Sequence, residues 1–462
     1  MTTTHPDKHN PMTTTHHDNH NRWTVIIGAL LVQVILGTVY GFSVFVRPLE
    51  TEFGWARATT QWAFSITLAS FALTMIPAGR LQDRLGPRKV ASIGGILLGL
   101  SFVLAALLVA QDRPWALYLT YGVIGGAGLG FGYVCPIAAA VKWFPDRKGL
   151  ITGVAVAGFG AGALFFAGPA STLLLPPGET GEPLGLSQIL LIALGITKGS
   201  GFGLGWRMFF VLHGIVSAAG VLLGATLLRN PPAGWRPPGW EPTAAQAKAL
   251  AMADIGPREM LSRPVACMLW ITFIFGATSG LMALGQWTPM MTAVLKGATF
   301  APEWMGGYGR FVEPVGILAI FNALGRIVWG RISDIVDRPR AMMMMFLAQG
   351  MAFMILVSVE SHMAIFVASA WVGFNFGGNF TLFPSATADY FGTKHFGVNY
   401  GWIFTAYGVA GILGPVVGGV LFDATKQYVM AFLFAGTLCF LAAACAIVVW
   451  ALSAEAAQPA TQ

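Results

Sequence analysis

Twelve apolar runs, each about 20 residues long, dominate the chain and are separated by short polar loops. A run of this length matches an α-helix that crosses the hydrocarbon core of a bilayer, where every backbone N–H and C=O must bond within its own segment. The sequence therefore predicts an all-α membrane protein with twelve transmembrane helices. The runs begin near Trp23, Gln61, Ala91, Trp115, Gly149, Met208, Val265, Phe311, Met342, His362, Phe396 and Tyr428.

Composition and charge agree with this class. Only 10% of the residues are charged, against about 25% in a soluble domain, so most of the surface must face lipid. The net charge of +7 is spread over short loops without a basic stripe, which gives no indication of nucleic-acid binding. The cysteines all lie in apolar runs and are interpreted as buried free thiols, without metal or disulfide spacing, and no cofactor is expected. They are Cys135, Cys267, Cys439 and Cys445.

The polar segments divide the twelve runs into two halves of six. The His-rich start of the chain is interpreted as a disordered extension rather than a metal site. The predicted boundaries are a cytoplasmic tail at 1–22, an N-terminal bundle at 23–228 with an external insertion at about 174–206, a cytoplasmic linker at 229–264, a C-terminal bundle at 265–452 and a cytoplasmic tail at 453–462.

The distribution of basic residues predicts the orientation. With the N-terminus inside, most of the 27 Lys and Arg residues fall in inner loops and tails, as the positive-inside rule requires. An even number of spans then puts both termini in the cytoplasm, and we expect a multi-pass protein of the inner cell membrane.

The two halves repeat each other. The segment from Gly79 to Lys89 after the second run is echoed by 330–340 after the eighth run, and Gly149 to Gly160 is echoed by 397–408 at an offset of 248. Duplicated six-helix halves around a central site are typical of alternating-access carriers. The sequence therefore predicts two pseudo-symmetric six-helix bundles.

The repeated loop carries a family resemblance. Its pattern at 79–89, Gly-x-Leu-x-Asp-Arg-x-Gly-x-Arg-Lys, resembles the signature loop of the major facilitator superfamily. The similarity runs from about Trp23 to about Trp450, without the acidic motif that animal monocarboxylate carriers have in the first helix. The stretches that resemble the oxalate/formate antiporter and monocarboxylate transporter group are 55–65, 142–149, 374–385 and 399–401.

Arg326 is the first candidate for a binding residue, because His213 is the only other Asp, Glu, Lys, Arg or His residue inside the apolar runs. A charge at membrane depth is costly and usually faces a cavity. In the group that the chain resembles, the matching arginine binds the substrate carboxylate, which fits the two-pronged donor face of a guanidinium. The alternative is that the side chain snorkels towards Gly330, about one turn away. Asn322, one turn earlier, should share its face and orient Arg326 or the substrate; animal relatives have an aspartate there.

Three tyrosines complete the predicted substrate site. Tyr407 matches a position where the oxalate-specific member of the family has a lysine, so the resemblance implies one fixed cation and favours a monoanion over a dianion. Tyr40 and Tyr133 match aromatic positions that line the family's cavity, and their hydroxyls are candidates for contact with substrate oxygens. Helix packing is the alternative role of each tyrosine. Phe380 and Phe404 are expected in the core rather than in a cavity wall.

A second group of residues is predicted to act in gating. They lie at the predicted cytoplasmic ends of the second and eighth runs, where a carboxylate can pair with a neighbouring helix N-terminus or an arginine. In the superfamily that the chain resembles, this contact latches the outward-facing state. The group consists of Gly79, Asp83, Arg84, Asp334 and Arg338.

The route of a coupled proton stays open at this point. Glu313 and Asp389 lie at helix ends, and His213 is interpreted as a packing or rim residue although imidazole can titrate near neutral pH. Either the substrate or a tyrosine network carries the proton, or the protein exchanges one anion for another.

The predicted function is transport of small monocarboxylates of the lactate and pyruvate kind, with proton symport, by a monomer in the lipid bilayer. The alternative within transport is an organic anion exchanger of the oxalate/formate kind. A sensor would usually carry an added signalling domain, and a channel does not fit the repeated latch loops. No constellation of an activated nucleophile or metal ligands predicts an enzyme.

Overall fold

A computed structural model describes residues 21–174, 206–232, 235–241, 254–295, 314–357, 362–425, 427 and 429–455. Within these ranges the regular structure is helical and contains no strand. Helices satisfy the backbone internally, which is the requirement that apolar surroundings impose. The predicted His-rich tail and most of the predicted external insertion, including 187–195, lie outside the described ranges.

The described residues of the N-terminal half form six spans. The first consists of α1 and α2, joined by a 3₁₀ turn at Thr38–Gly41, and the fourth consists of α5 and α6, joined by a π-helical segment at Tyr118–Gly125. The helices are α1 Arg22–Gly37, α2 Ser43–Phe53, α3 Arg57–Leu85, α4 Pro87–Leu108, α5 Pro114–Leu117, α6 Gly126–Trp143, α7 Lys148–Leu174 and α8 Trp206–Leu227.

The described residues of the C-terminal half form the other six spans, and the short helix α9 precedes them. The helices are α9 Pro257–Ser262, α10 Pro264–Leu295, α11 Pro314–Val336, α12 Arg338–Leu356, α13 His362–Phe391, α14 Phe396–Thr425 and α15 Val429–Glu455. The starts predicted at Phe311 and Tyr428 lie outside the described residues.

Nine helical segments of the described part of the chain are long and apolar enough to cross a membrane. The remaining three spans are α7, α11 and α13. In α11 the charged residues Arg326, Arg331 and Asp334 lower the mean hydropathy. In α7 the apolar segment Lys148–Gly162 is shorter than a full span. The predicted fold class, an all-α membrane protein of twelve helices in two six-helix bundles, is confirmed.

The two bundles meet along two extensive helix pairs, α3 with α14 and α7 with α11. Glycines make these contacts close. A Cβ atom on Gly79 would overlap the carbonyl oxygen of Gly397, and a Cβ atom on Gly330 would overlap that of Gly149. Small residues let the backbones of membrane helices approach each other, and here they bring main chain against main chain between the bundles.

The prediction that all four cysteines are buried is wrong for Cys267, which is exposed, and only partly right for Cys445, which is half-buried. Apolar sequence cannot distinguish a side chain that faces lipid from one that faces another helix. All four cysteines are free thiols.

Candidate functional site

Arg326 lies inside the protein, with 0% of its surface exposed. Its Nε donates a hydrogen bond to Oδ1 of Asn322 at 3.1 Å, and its Nη1 donates to the carbonyl oxygen of Val156 in α7 at 2.8 Å. Both partners are neutral. Within the described ranges, no carboxylate forms an ion pair with Arg326. The guanidinium is therefore oriented by hydrogen bonds but not neutralised by them.

Aromatic rings surround the guanidinium where water would otherwise lie. Its Cζ atom is 4.3 Å from the ring centre of Phe380 and 5.8 Å from that of Phe159. A cation over an aromatic face gains electrostatic stabilisation when it is desolvated. The side chain points into the bundle interface, so the snorkelling alternative does not apply to this conformation. Phe380, expected only in the core, is both buried and a wall of the site.

Two tyrosines from opposite bundles meet beside Arg326. The hydroxyls of Tyr40 and Tyr407 are 2.9 Å apart and form a hydrogen bond. The ring of Tyr407 packs edge-on against Phe380 at 5.2 Å, and the ring of Tyr40 packs edge-on against Phe159 at 5.2 Å. The 3₁₀ turn at Thr38–Gly41 carries Tyr40, so a break in the first span delivers this side chain to the site.

Tyr133 lies in α6 and is also completely buried. Its ring packs against Phe71, Phe159 and Phe404 with centres 5.2, 5.0 and 5.4 Å apart. Its hydroxyl interacts with the hydroxyl of Tyr400 and with the guanidinium of Arg326. The structure thus brings together all five residues of the predicted substrate site. Of its three tyrosines, Tyr40 and Tyr133 belong to the N-terminal bundle and Tyr407 belongs to the C-terminal bundle.

Several contributors were not predicted from sequence. Val156 acts through its carbonyl oxygen and Phe159 through its ring, and both belong to α7. Tyr400 in α14 is fully buried, and its hydroxyl interacts with that of Tyr133. The motif 399–401 indicated the family but not a role for this tyrosine. A backbone carbonyl leaves no signal in sequence, because any residue could supply it.

The predicted gating carboxylates cap helices of the opposite bundle. Asp83 accepts hydrogen bonds from the amides of Gly397 and Val398, both at 3.0 Å. Asp334 accepts hydrogen bonds from the amides of Gly149 and Leu150, at 2.8 and 2.9 Å. A carboxylate is stabilised at a helix N-terminus by the free N–H groups and the helix dipole.

The remaining gating candidates differ from one another. Arg338 pairs with Asp334 at 2.8 Å and with Asp389 at 2.7 Å. Asp389, expected only to lie at a helix end, also pairs with Lys148 of α7 at 2.8 Å and so links the two bundles. Arg84 is exposed. Gly79 forms the close backbone crossing with Gly397.

His213 does not reach the site. It is 8% exposed and lies near the hydroxyls of Thr38 and Ser217, at 3.2 and 3.3 Å, with its ring packed against Phe102 at 4.6 Å. It is a packed residue of the N-terminal bundle, as interpreted from sequence. Glu313 lies outside the described residues. Among the residues that are described, no cluster of three or more His, Cys, Asp or Glu side chains can hold a metal ion.

Comparison with known proteins identifies the family. The model of the Major Facilitator Superfamily matches residues 26–312 and 314–462. The chain is 28% identical to an uncharacterized MFS-type transporter of Escherichia coli K12 over 393 residues, which cover 85% of this chain and 86% of the relative. It is 26% identical to the oxalate:formate antiporter of Oxalobacter formigenes over 403 residues, which cover 87% and 85%. It is 27% identical to apicoplast pyruvate carrier 1 of Toxoplasma gondii over 461 residues, which cover 83% and 81%.

Solved structures agree with the fold. The outward conformation of the transporter FucP superimposes with a TM-score of 0.60 at 16% identity, covering 92% of this chain and 98% of FucP. At this identity the likeness describes the fold alone. The family model, in contrast, extends over nearly all of the sequence, and its members are transporters rather than enzymes. The chain belongs to the Major Facilitator Superfamily.

Proposed function

We propose that this protein carries small monocarboxylates of the lactate and pyruvate kind across the membrane by alternating access, together with a proton. The observation that carries the proposal is the state of Arg326: one fully buried cation, oriented by two neutral acceptors and without a described carboxylate partner. A desolvated charge of this kind is costly to leave uncompensated. A bound monoanion compensates it.

Arg326 has hydrogen-bonding capacity left for a substrate. Asn322 and Val156 accept hydrogen bonds from Nε and from Nη1, which leaves three of the five N–H donors of the guanidinium. The hydroxyls of Tyr40 and Tyr133 also interact with the guanidinium. Two parallel N–H donors fit the two oxygens of a carboxylate. Tyr407 and Tyr40 add neutral hydroxyls beside the cation. One cation with neutral donors matches a single negative charge, and a dianion such as oxalate would retain an unpaired carboxylate.

Asp83 and Asp334 serve gating in this proposal. Each cap must be released before the bundles can separate at the face that carries them, which the basic loops predict to be cytoplasmic. The transport cycle then alternates between this closed arrangement and one that is open to the predicted cytoplasm. The protein lies in the inner membrane with both termini inside.

Anion exchange is the second candidate function. It is favoured by the absence of any Asp or Glu among the described residues that surround Arg326, because a proton symporter usually needs a group that binds the proton. The similarity to an oxalate:formate antiporter supports the same alternative. In symport, by contrast, the substrate or the tyrosine hydroxyls carry the proton.

Uptake of labelled L-lactate into proteoliposomes tests the proposal, with and without an inward proton gradient, for the wild type and Arg326→Gln. Gradient-stimulated uptake that the variant loses is the expected result. Uptake that ignores the gradient but requires internal anion would establish the exchanger instead. Competent protein that carries none of L-lactate, pyruvate, formate and oxalate would refute both.

A further inference from the structure

His213 is a buried polar residue of α8 that the substrate site does not use. It is 8% exposed, and its ring packs edge-on against Phe102 at 4.6 Å and nearly parallel to Phe209 at 6.0 Å. A phenylalanine would fill this space without the cost of burying polar nitrogen atoms. The polar contacts of the imidazole therefore indicate a role beyond packing.

The contact between His213 and Thr38 has a defined direction. Oγ1 of Thr38 lies 3.2 Å from Nε2 of His213 and donates its own hydrogen to the carbonyl oxygen of Ile35 at 2.7 Å. A hydroxyl group has one hydrogen, so the Thr38 oxygen can only accept from the ring. Nε2 therefore carries the hydrogen, and His213 is the donor. The hydroxyl of Ser217, 3.3 Å from the same nitrogen, belongs to the same helix as His213, whereas Thr38 belongs to another span.

Thr38 begins the break in the first span. In a continuous α-helix the carbonyl oxygen of Ile35 would accept from the amide of Val39, and here the hydroxyl of Thr38 donates to it. Hydroxyl groups that bond to a carbonyl of the preceding turn compete with the helix and often bend it. The backbone then continues as the 3₁₀ turn at Thr38–Gly41. His213 thus holds the residue at which the helix changes its course.

This turn carries Tyr40 to the substrate site. Tyr40 lies two residues after Thr38, and its hydroxyl is hydrogen-bonded to that of Tyr407 at 2.9 Å and interacts with Arg326. A 3₁₀ stretch within a helix often marks a functional hinge. The direction of the Tyr40 side chain therefore depends on how the turn is held.

The packing around the turn shows which way it can move. A Cβ atom on Gly37 would overlap the carbonyl oxygen of Phe159 in α7, so the chain is already in close contact on that side. A small cavity of the N-terminal bundle also adjoins the turn. The residues that line it include Thr38, Val39, Thr67, Phe102 and Tyr121. Loss of the hydrogen bond from His213 would therefore let the turn shift towards the cavity and draw Tyr40 away from the site.

We propose that His213 is a positioning residue of the substrate site, which fixes the break in the first span through Thr38 and so directs the Tyr40 hydroxyl towards Tyr407 and the bound carboxylate. The inference rests on the proposed function. His213 acts at a distance from the substrate, as a neutral hydrogen-bond donor, and transfers no proton. An imidazole suits this role because it packs as a ring and donates from its edge.

Uptake of labelled L-lactate into proteoliposomes tests the inference through KM and kcat, with pyruvate in its place if the wild type carries only that acid. The variants are His213→Met, which removes the donor, His213→Gln, whose amide can replace it, and Thr38→Val, which removes the acceptor. His213→Met is also combined with Thr38→Val and, separately, with Tyr40→Phe. Thr67→Val is the matched control, because the buried Thr67 hydroxyl also bonds to a carbonyl of its own helix and Thr67 lines the same cavity.

We expect His213→Met and Thr38→Val each to raise KM about fivefold, the effect of one neutral hydrogen bond. The kcat should stay within about twofold, because the lost contact serves binding. The combination of the two should raise KM no further, since both remove the same bond. His213→Gln and Thr67→Val should remain within about twofold of the wild type. In the Tyr40→Phe background, His213→Met should add nothing, because the hydroxyl that it directs is gone.

An unchanged KM in His213→Met would overturn the inference, and so would additive rises in its combination with Thr38→Val. A rise that persists in the Tyr40→Phe background, or a KM of His213→Gln as high as that of His213→Met, would have the same meaning. Folded His213→Met protein that carries nothing while Tyr40→Phe still transports would also overturn it, because an effect through Tyr40 cannot exceed the loss of its hydroxyl. If Tyr40→Phe itself carries nothing, the combination with Thr38→Val and the rescue by His213→Gln decide. A wild type that carries none of L-lactate, pyruvate, formate and oxalate would instead refute the proposed function.

Discussion

Asp83 and Asp334 are equivalent residues of the two bundles, and each carboxylate caps the first turn of a helix in the opposite bundle. The acceptor distances are 3.0 Å to both amides for Asp83, and 2.8 and 2.9 Å for Asp334. Both caps are formed at once, so the bundles are closed against each other at this face. The two caps are not identical, because Asp334 also pairs with Arg338 at 2.8 Å.

Asp83→Asn should slow transport without changing which substrates compete. An asparagine side chain has one carbonyl oxygen and turns an NH₂ donor towards the second amide, so one of the two capping bonds is lost and the closed state is weakened. We expect the maximal rate to fall several-fold, by an amount on the order of one charge-assisted hydrogen bond. Initial rates and a competition series with unlabelled acids measure the two quantities. Asp337→Asn is the matched control, since Asp337 caps α12 within its own bundle through the amide of Arg340. A changed competition profile in Asp83→Asn would contradict the gating role.

Arg326→Lys should fail to restore transport although it keeps the positive charge. An ammonium group cannot reach Asn322, the carbonyl of Val156 and both oxygens of a carboxylate at the same time, because it lacks the planar fork of arginine. We expect kcat/KM to fall at least about tenfold relative to the wild type. Uptake by the lysine variant at the wild-type level would show that only the charge matters and that bidentate binding does not.

Tyr407→Lys should extend the range of substrates towards dianions. The new ammonium would lie beside Arg326 and provide the second cation that oxalate needs in a desolvated site. We expect oxalate to inhibit uptake of labelled lactate in this variant and not in the wild type. Tyr407→Phe is the control, because it removes the hydrogen bond to Tyr40 without adding charge. Inhibition by oxalate in the phenylalanine variant would attribute the effect to the lost hydroxyl.

Gly160→Ala should weaken substrate affinity by disturbing the orientation of Arg326. A Cβ atom at this position would lie 2.8 Å from Oδ1 of Asn322 and 3.2 Å from Nε of Arg326, so the asparagine has to move. We expect a rise in KM of about tenfold, which corresponds to the loss of one hydrogen bond to a charged group. Gly419→Ala is the control in the same fold, because a Cβ atom there meets nothing within 4 Å. Equal effects of both substitutions would indicate a general cost of alanine at helical glycines.

The architecture was predictable because it depends on properties that each segment carries alone. Run length and the echo of 79–89 in the second half define twelve spans and two bundles. The spacing of Asn322 and Arg326 predicts a shared helix face, and their side chains are hydrogen-bonded. The order of the elements and the face of one helix therefore follow from the sequence pattern.

The details of the site depend on distances between helices, which no single segment determines. The carbonyl of Val156 reaches Arg326 because glycines bring α7 close to α11. The break at Thr38–Gly41 that directs Tyr40 inwards contains no proline, and the glycines that flank it, Gly37 and Gly41, resemble the many glycines of the other runs. Tyr400 resembles any other tyrosine of an apolar run until its hydroxyl is seen across the interface from that of Tyr133.

The glycine crossings of Gly79 with Gly397 and of Gly149 with Gly330 have a mechanical consequence. At these crossings main chain meets main chain, so the crossings themselves part without any rotamer change. The resistance to opening then comes from the contacts that join the bundles elsewhere, such as the two carboxylate caps and the Tyr40–Tyr407 hydrogen bond. We therefore expect the rate of opening to depend on these contacts and not on the glycine crossings.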